Sequence, residues 1–326
     1  MKAVQISKTG GPETLELVEL PKPQPGPGEV LVRAHAIGVG KPDVLFRTGV
    51  YRWMPPLPAV PGTEMSGYVE TLGDGVDGLR VGDAVLVYHF GGRCYAEFAS
   101  VPASAVTKLP PAVDLDDAVS IPNYQVAEAL LTEAARGQSP KSVYINGAAG
   151  GIGSAVIQLC RLHGIAVIAG TSSAEKCAFA ATQGATHVID YSRERVADRL
   201  LDLTQGHGVD LILDHIVGND FADNLKALAT FGLIVSFNAL GGMPEKDLFR
   251  ELRAHLPKSP AVRCFTMHSF DHDPAAQQRI AARAIEYFAA GRVKPPIDRR
   301  MRLDEARQAH ERLDARAVLG KLILKP

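Results

Sequence analysis

The residues best suited to chemistry form a run of small side chains, Asn146-Gly147-Ala148-Ala149-Gly150-Gly151-Ile152-Gly153. A short apolar run, Ser142 to Asn146, leads into it, and Ser154 to Leu162 follows with helical spacing of its apolar residues. Glycines allow backbone N–H groups to approach a pyrophosphate, and the start of a helix presents partial positive charge to it. The spacing A-x-x-G-x-G, through Ala148, Gly151 and Gly153, is a relative of G-x-G-x-x-G and not that pattern itself. A tight turn also requires glycine, so the strand–loop–helix–strand setting is what gives the loop meaning. In that setting Ala149, Gly150, Gly151, Ile152 and Gly153 are expected to hold the phosphates of a dinucleotide.

The end of the next strand selects the nucleotide. A site for NAD places an acidic residue there to hold the ribose hydroxyls. This chain has Gly170-Thr171-Ser172-Ser173, with no carboxylate before Glu175 and then Lys176. Small hydroxyls leave room for a 2′-phosphate and a lysine neutralises it, so NADPH is the expected cofactor, bound by Thr171, Ser172 and Lys176. Tyr191, past the third strand, reaches the same pocket. The alternative makes Lys176 a solvated helix residue and Tyr191 an edge of the core. Asn238 is assigned to the cofactor site, and Tyr51, Asn123 and Tyr124 are the candidates for a catalytic pocket, each with a structural role as its alternative. His215 ends a strand, where side chains can face the cofactor.

Other chemistries are poorly supplied. The four cysteines, Cys94, Cys160, Cys177 and Cys264, contain no C-x-x-C pair, so neither a disulfide framework nor a zinc lobe is expected and no metal ligand is assigned. There is no G-x-S-x-G nucleophile elbow, and the glycine loop lacks the Lys-Ser/Thr ending of a phosphate-transfer loop. With a net charge of -1 and both signs interspersed, nothing favours nucleic acid. No apolar run approaches membrane-spanning length, and the N-terminus lacks an apolar signal-peptide stretch, so the expected location is the cytoplasm.

The elements that must position these residues fall into two textures. At 326 residues, two domains are expected. Through about residue 120 the chain reads as short strands between Gly, Asp and Pro turns: Val4 to Ile6, Leu15 to Val18, Val30 to Ala36, Ser66 to Thr71, Ala84 to Tyr88 and Tyr95 to Val101. That texture predicts a small β-barrel or sandwich. From Ser142 strands and helices alternate, with strands at Ala166 to Ala169, His187 to Ile189, Leu211 to Asp214 and Leu233 to Phe237, a helix being expected between each pair. This is the pace of a doubly wound parallel α/β sheet of Rossmann type. Near the end, Ala275 to Ala290 and 303 to 315 read as helices, with Asp273 and Pro274 placed to start the first, and Lys321 to Lys325 as a last strand.

Several blocks in order resemble the medium-chain dehydrogenase/reductase superfamily, and within it the zinc-free NADPH:quinone oxidoreductase (zeta-crystallin-like) branch. They include Gly28-Glu29-Val30-Leu31-Val32, Pro61-Gly62-Thr63-Glu64-Met65-Ser66-Gly67, Val81-Gly82-Asp83-Ala84-Val85, the glycine loop, and Gly184-Ala185-Thr186-His187-Val188-Ile189-Asp190-Tyr191. The resemblance implies a discontinuous GroES-like, β-rich catalytic domain, residues 1–121 plus 262–326, interrupted by a Rossmann domain at 122–261. It further implies a homodimer and an arginine, Arg316, near the cofactor. Where the superfamily's zinc enzymes carry a cysteine and a histidine, this chain has Gly40 and Thr63. Glu64 survives, either fixing the pocket by hydrogen bonds or as a buried, satisfied carboxylate.

What the resemblance implies for activity is hydride transfer from NADPH to a small electrophilic acceptor, a quinone or an α,β-unsaturated carbonyl, whose conjugation carries the developing charge. The quinone reductases it resembles carry Asn, Tyr and Thr where Gly40, Leu45 and Val126 stand, so a larger or more apolar acceptor is expected. One rival is a trans-enoyl thioester reductase with Lys41, Arg47 and Arg52 as a basic entrance; another is a non-catalytic NADPH-binding structural or sensor protein.

Overall fold

From residue 142 each apolar run pairs in parallel with its neighbours while the intervening segments cover the sheet, as expected for strands buried on both faces. The computed structural model describes residues 1–52 and 54–326 and divides into two units, Asn123–Ala284 and Met1–Pro122 with Ile285–Pro326. In the first unit the strands are β1 (Ser142–Ile145), β2 (Ala166–Thr171), β3 (His187–Asp190), β4 (Val209–Asp214), β5 (Leu228–Ser236) and β6 (Ala261–Cys264). Their order is β3-β2-β1-β4-β5-β6, all parallel, with Val143 opposite Val167 on one side and Leu211 on the other. The strand order therefore reverses between β1 and β4, where an open α/β sheet forms its crevice.

Helices α1 (Gly151–Leu162), α2 (Ala174–Thr182) and α3 (Val196–Leu203) follow β1, β2 and β3. Helix α1 buries Ala155, Val156, Leu159 and Cys160, and Ser173 caps α2 by accepting from the Lys176 N–H. The helix expected between β4 and β5 is only a 3-10 turn, Asp223–Ala227. The Asp214 carboxylate accepts the N–H groups of Ile216 and Val217, and Val217 and Gly218 have positive φ. That hook consumes the residues a helix would need.

The compact unit that holds the parallel sheet runs from Asn123 to Ala284. Ala261–Cys264 is the sixth strand of the parallel sheet, in register with Leu233–Ser236. Ala276 and Ile280, on the helix Pro274–Ala289, then cluster with Ala129 and Phe270. The sequence-predicted start of this helix is seen, with Asp273 accepting from the Ala276 N–H.

In the second unit the long strand Glu29–Val39 pairs antiparallel with Glu64–Leu72, Phe98–Pro102 and Lys321–Lys325. Ala84–Tyr88 and Val106–Lys108 continue the seven-stranded sheet on one side and Ile297–Arg302 on the other. Two register shifts in the pairing of Glu29–Val39 with Glu64–Leu72 bend the sheet around Val32, Ile37, Phe46, Met65, Val87 and Leu322, all buried. The C-terminal strand is thus a structural member of the N-terminal unit, which explains why the chain returns to it.

Candidate functional site

The glycine loop takes the form its sequence demands. Gly147 has φ +60, and Gly150 is the extended N-cap of α1, with no side chain to cap it. A helix leaves its first N–H groups without intrahelical partners, so those of Gly151, Ile152 and Gly153 are available to an anion. A Cβ on Gly153 would lie 2.6 Å from Ala148 Cα, so only glycine lets α1 seat this close to the loop. Ala148 donates to the Gly170 carbonyl at 3.0 Å, tying the loop to the end of β2, and Ala149 is buried beneath it.

At that end of β2 the residues expected to hold a ribose phosphate come together. Lys176 Nζ donates to Ser172 Oγ at 3.1 Å, and Thr171 is buried with its hydroxyl 3.0 Å from Cys177 Sγ. Tyr191 sits one residue past β3, its N–H donating to the Thr171 carbonyl at 2.9 Å. A cleft of about 400 Å³ beside them is lined by Ala174, Cys177, Val188, Asp190, Arg193 and Glu194. Arg193 escaped the sequence reading and Cys177 was read there only as a free cysteine, since neither lies at a motif position. The Asp190 carboxylate is turned to Ser192, accepting from its N–H and hydroxyl, and α2 begins without an acid at Thr171–Ser173. The site thus offers hydroxyls and a cation where a 2′-phosphate would lie, and the residues present fit that group.

The switch point of the sheet is held by side chains. Asn146 Nδ2 donates to Asp214 Oδ1 in a short bond, and Asn146 Oδ1 accepts the His215 N–H at 3.0 Å. His215 stacks on Phe237, ring centroids 5.6 Å apart, and covers Gly147, where a Cβ would lie 1.9 Å from Nε2. His215 therefore borders the loop directly. Asn238 lies exposed just beyond β5 and accepts from the Ala239 N–H. Asn123 is half-buried, whereas Tyr124 is buried and donates to Gln158 Oε1 at 2.8 Å, which places it in the fabric of the unit.

The second unit holds a separate buried group. Asp43, Glu64 and Lys321 are all buried, and Lys321 Nζ donates to Glu64 Oε2 in a short bond. Asp43 caps the helix Lys41–Thr48 by accepting the Gly40 N–H at 2.8 Å, and it also accepts the Thr63 N–H at 3.2 Å. Burial first, and the Glu64 charge second, push the Asp43 carboxyl up to about 7. Tyr51 lies in the apolar core, 6.1 Å from Phe46 between ring centroids; burial, then Asp43, hold its phenol above the usual range. Of the two readings for Glu64, the ion pair with Lys321 supports the buried, satisfied carboxylate. Spacing carried no sign of that partner, which is 257 residues away.

Arg47 corrects the expected basic entrance. Its side chain is 2% exposed and pairs with Asp314 at 2.7 Å, while Lys41 and Arg52 are exposed. Nearby, His310 is buried against the Tyr95 hydroxyl at 3.0 Å, and burial, then Arg47, depress it to about 3. Arg316 is exposed at positive φ after the helix Ala306–Asp314, in this unit and not in the one that carries the glycine loop. Among the described residues no group of three or more His, Cys, Asp or Glu could hold a metal, and no helix is long and apolar enough to cross a membrane.

Residues 26–111 match the model of the alcohol dehydrogenase GroES-like domain, and residues 183–324 that of the zinc-binding dehydrogenases. The quinone oxidoreductase of Pseudomonas aeruginosa is 31% identical over 326 residues, covering 100% of this chain and 99% of that protein. The synaptic vesicle membrane protein VAT-1 homolog of Rattus norvegicus is 29% identical, over 100% of this chain and 84% of its own length. Among solved structures, Escherichia coli quinone oxidoreductase complexed with NADPH matches with a TM-score of 0.90 at 27% identity, over 100% of both chains.

Proposed function

We propose that this chain, which belongs to the quinone oxidoreductase branch of the medium-chain dehydrogenase/reductase superfamily, is a metal-independent, NADPH-dependent reductase of a quinone or an α,β-unsaturated carbonyl compound. The observation that carries the cofactor reading is the Lys176–Ser172 contact beside a glycine loop, at a strand end that lacks a carboxylate. The Escherichia coli relative solved with NADPH supports it. NADPH supplies the hydride when bound.

The protein's part is to hold and orient. Gly151, Ile152 and Gly153 offer backbone N–H groups to the pyrophosphate, which Gly150, without a side chain, lets approach, and Thr171, Ser172, Lys176 and Tyr191 enclose the 2′-phosphate, with Arg193 as an added cation. Asn238 and Arg316 complete the contacts on the family resemblance. With Gly40 and Thr63 at the places where zinc enzymes carry ligands, the acceptor's own conjugation must accommodate the charge that a metal would otherwise bind. The enoyl-thioester reading is weakened, because Arg47 is buried and unavailable to an acceptor's phosphates. A cytoplasmic homodimer, joined through the nucleotide units, completes the proposal; the outermost strand β6 is largely exposed and supports it.

The test is NADPH oxidation against a benzoquinone, a phenanthrenequinone, an alkenal and an enoyl thioester, with NADH and a chelator as controls. Turnover of a quinone or an alkenal with NADPH, undiminished by the chelator, is expected. Tight NADPH binding without oxidation by any acceptor would refute the reading.

A further inference from the structure

The strand order reverses between β1 and β4, so the first residues past those two strands form the lips of the crevice in which an open α/β sheet takes its ligand. Past β1 stand Asn146 and Gly147, and past β4 stands His215. The backbone of His215 is held on both sides. Its N–H donates to Asn146 Oδ1 at 3.0 Å, and its carbonyl accepts the Leu240 N–H at 3.1 Å. The ring is held as well, stacked on Phe237 with the planes 17° apart. Phe237 is itself tied to the end of β4, its N–H donating to the Asp214 carbonyl at 3.0 Å. Such a side chain has little rotamer freedom left to lose when it binds something.

The edge of the ring that meets the loop is a polar one. A Cβ on Gly147 would lie 1.9 Å from His215 Nε2, 2.6 Å from Cε1 and 3.0 Å from Cδ2, so Nε2 takes the place where residue 147 would carry its side chain. The Gly147 carbonyl accepts the Gly150 N–H at 3.1 Å, closing the tight turn that opens α1. Nε2 therefore borders the same turn that presents the N–H groups of Gly151, Ile152 and Gly153. His215 and Phe237 are half-buried, whereas Asn146 and Asp214, which hold the backbone at this point, are buried.

We propose that His215 is a cofactor-binding residue whose Nε2–H donates a hydrogen bond to an oxygen of the NADPH diphosphate, alongside the N–H groups of α1. The proposal rests on the NADPH reading, and every residue it uses lies within Asn123–Ala284. The diphosphate is the part of a dinucleotide that crosses the switch point, where His215 stands. A glycine at 147 leaves the imazole edge its place, so loop and histidine form one anion site from two segments 68 residues apart in the chain. NADPH and NADH share the diphosphate. His215 therefore strengthens both alike, while Lys176 tells them apart.

His215→Phe keeps an aromatic ring on Phe237 and over Gly147 but has no donor. It should raise the dissociation constants of NADPH and NADH alike by about 10-fold or more, as loss of a hydrogen bond to a charged group does. Adenosine 2′-monophosphate, which has no diphosphate, should bind the variant as it binds the wild type. His215→Gln, whose amide N–H reaches about as far as Nε2, should restore most of the lost affinity for both nucleotides. Calorimetric titration of the three proteins with the three ligands reads all of this. Wild-type NADPH affinity in His215→Phe overturns the proposal. So does a loss that extends to adenosine 2′-monophosphate, which would make His215 a packing residue of the loop, and so does a loss that His215→Gln fails to restore. Wild-type protein that binds neither NADPH nor NADH refutes the cofactor reading itself, an outcome distinct from any variant result.

Discussion

Replacing Lys176 by Met tests the nucleotide assignment most directly. Lys176 Nζ is 3.1 Å from Ser172 Oγ on the half-buried first turn of α2, and the Ser173 cap of that helix uses the backbone N–H of residue 176, not its side chain. Methionine keeps the aliphatic stem and the cap, so only the charge is lost. Two unit charges about 4 Å apart near a protein surface attract by roughly 4 kcal/mol, and hydrogen bonds to charged groups net about 1.5–3 kcal/mol once water competes. We expect about 2 kcal/mol, a rise of about 30-fold in the NADPH dissociation constant. NADH lacks the 2′-phosphate, and its affinity should change less than about 2-fold on the same argument. Calorimetric titration with both nucleotides checks this, and the NADPH preference of the wild type should shrink as salt is raised. Equal losses for NADPH and NADH, or no loss for either, would refute the placement of the phosphate at Lys176.

Gly153→Ala should weaken binding of either nucleotide at least about 10-fold, because the added Cβ must displace Ala148 backbone only 2.6 Å away and with it the loop; fluorescence titration shows this, and unchanged affinity would sink the account of the loop. Between about pH 4 and about 7 native Asp43 holds a proton that the unfolded chain has lost, so stability should fall as pH rises across that window, by up to about 1.4 kcal/mol per pH unit. Urea melts across that range should show the slope in the wild type and a flatter one in Asp43→Asn; an identical slope in both contradicts the assignment. Asp314→Ala leaves the buried Arg47 guanidinium without its counter-ion and should cost about 2 kcal/mol, less than the roughly 3–5 kcal/mol typical of a fully buried pair because Asp314 is 39% exposed. Arg47→Met/Asp314→Ala should recover most of that loss in the same melts, and failure to recover would show that the charge is not what matters.

What can be read along the chain is whatever depends on neighbours in sequence. The glycine loop, the cap at Asp273, the alternation of strands and helices, and the run Thr171–Lys176 are local patterns, because backbone conformation, capping and strand period act within a few residues. The absence of a carboxylate at the end of β2 was visible for the same reason. The missing helix between β4 and β5 was not, because the Asp214 carboxylate hooks the following turn through hydrogen bonds that helical periodicity does not register. Nor was the packing of β6 beside β5, or of Ala276 and Ile280 against Ala129, which only the folded chain brings together. Arg47 read as an entrance cation until its burial against Asp314 was seen, and the burial of Tyr124 against Gln158 was equally invisible along the chain. The Asp43–Glu64–Lys321 group is the clearest case. Glu64 and Lys321 are 257 residues apart and meet because the last strand pairs beside Glu29–Val39. Charge type and local pattern belong to the chain, whereas pairing, desolvation and the space beside a glycine exist only after distant segments have packed together.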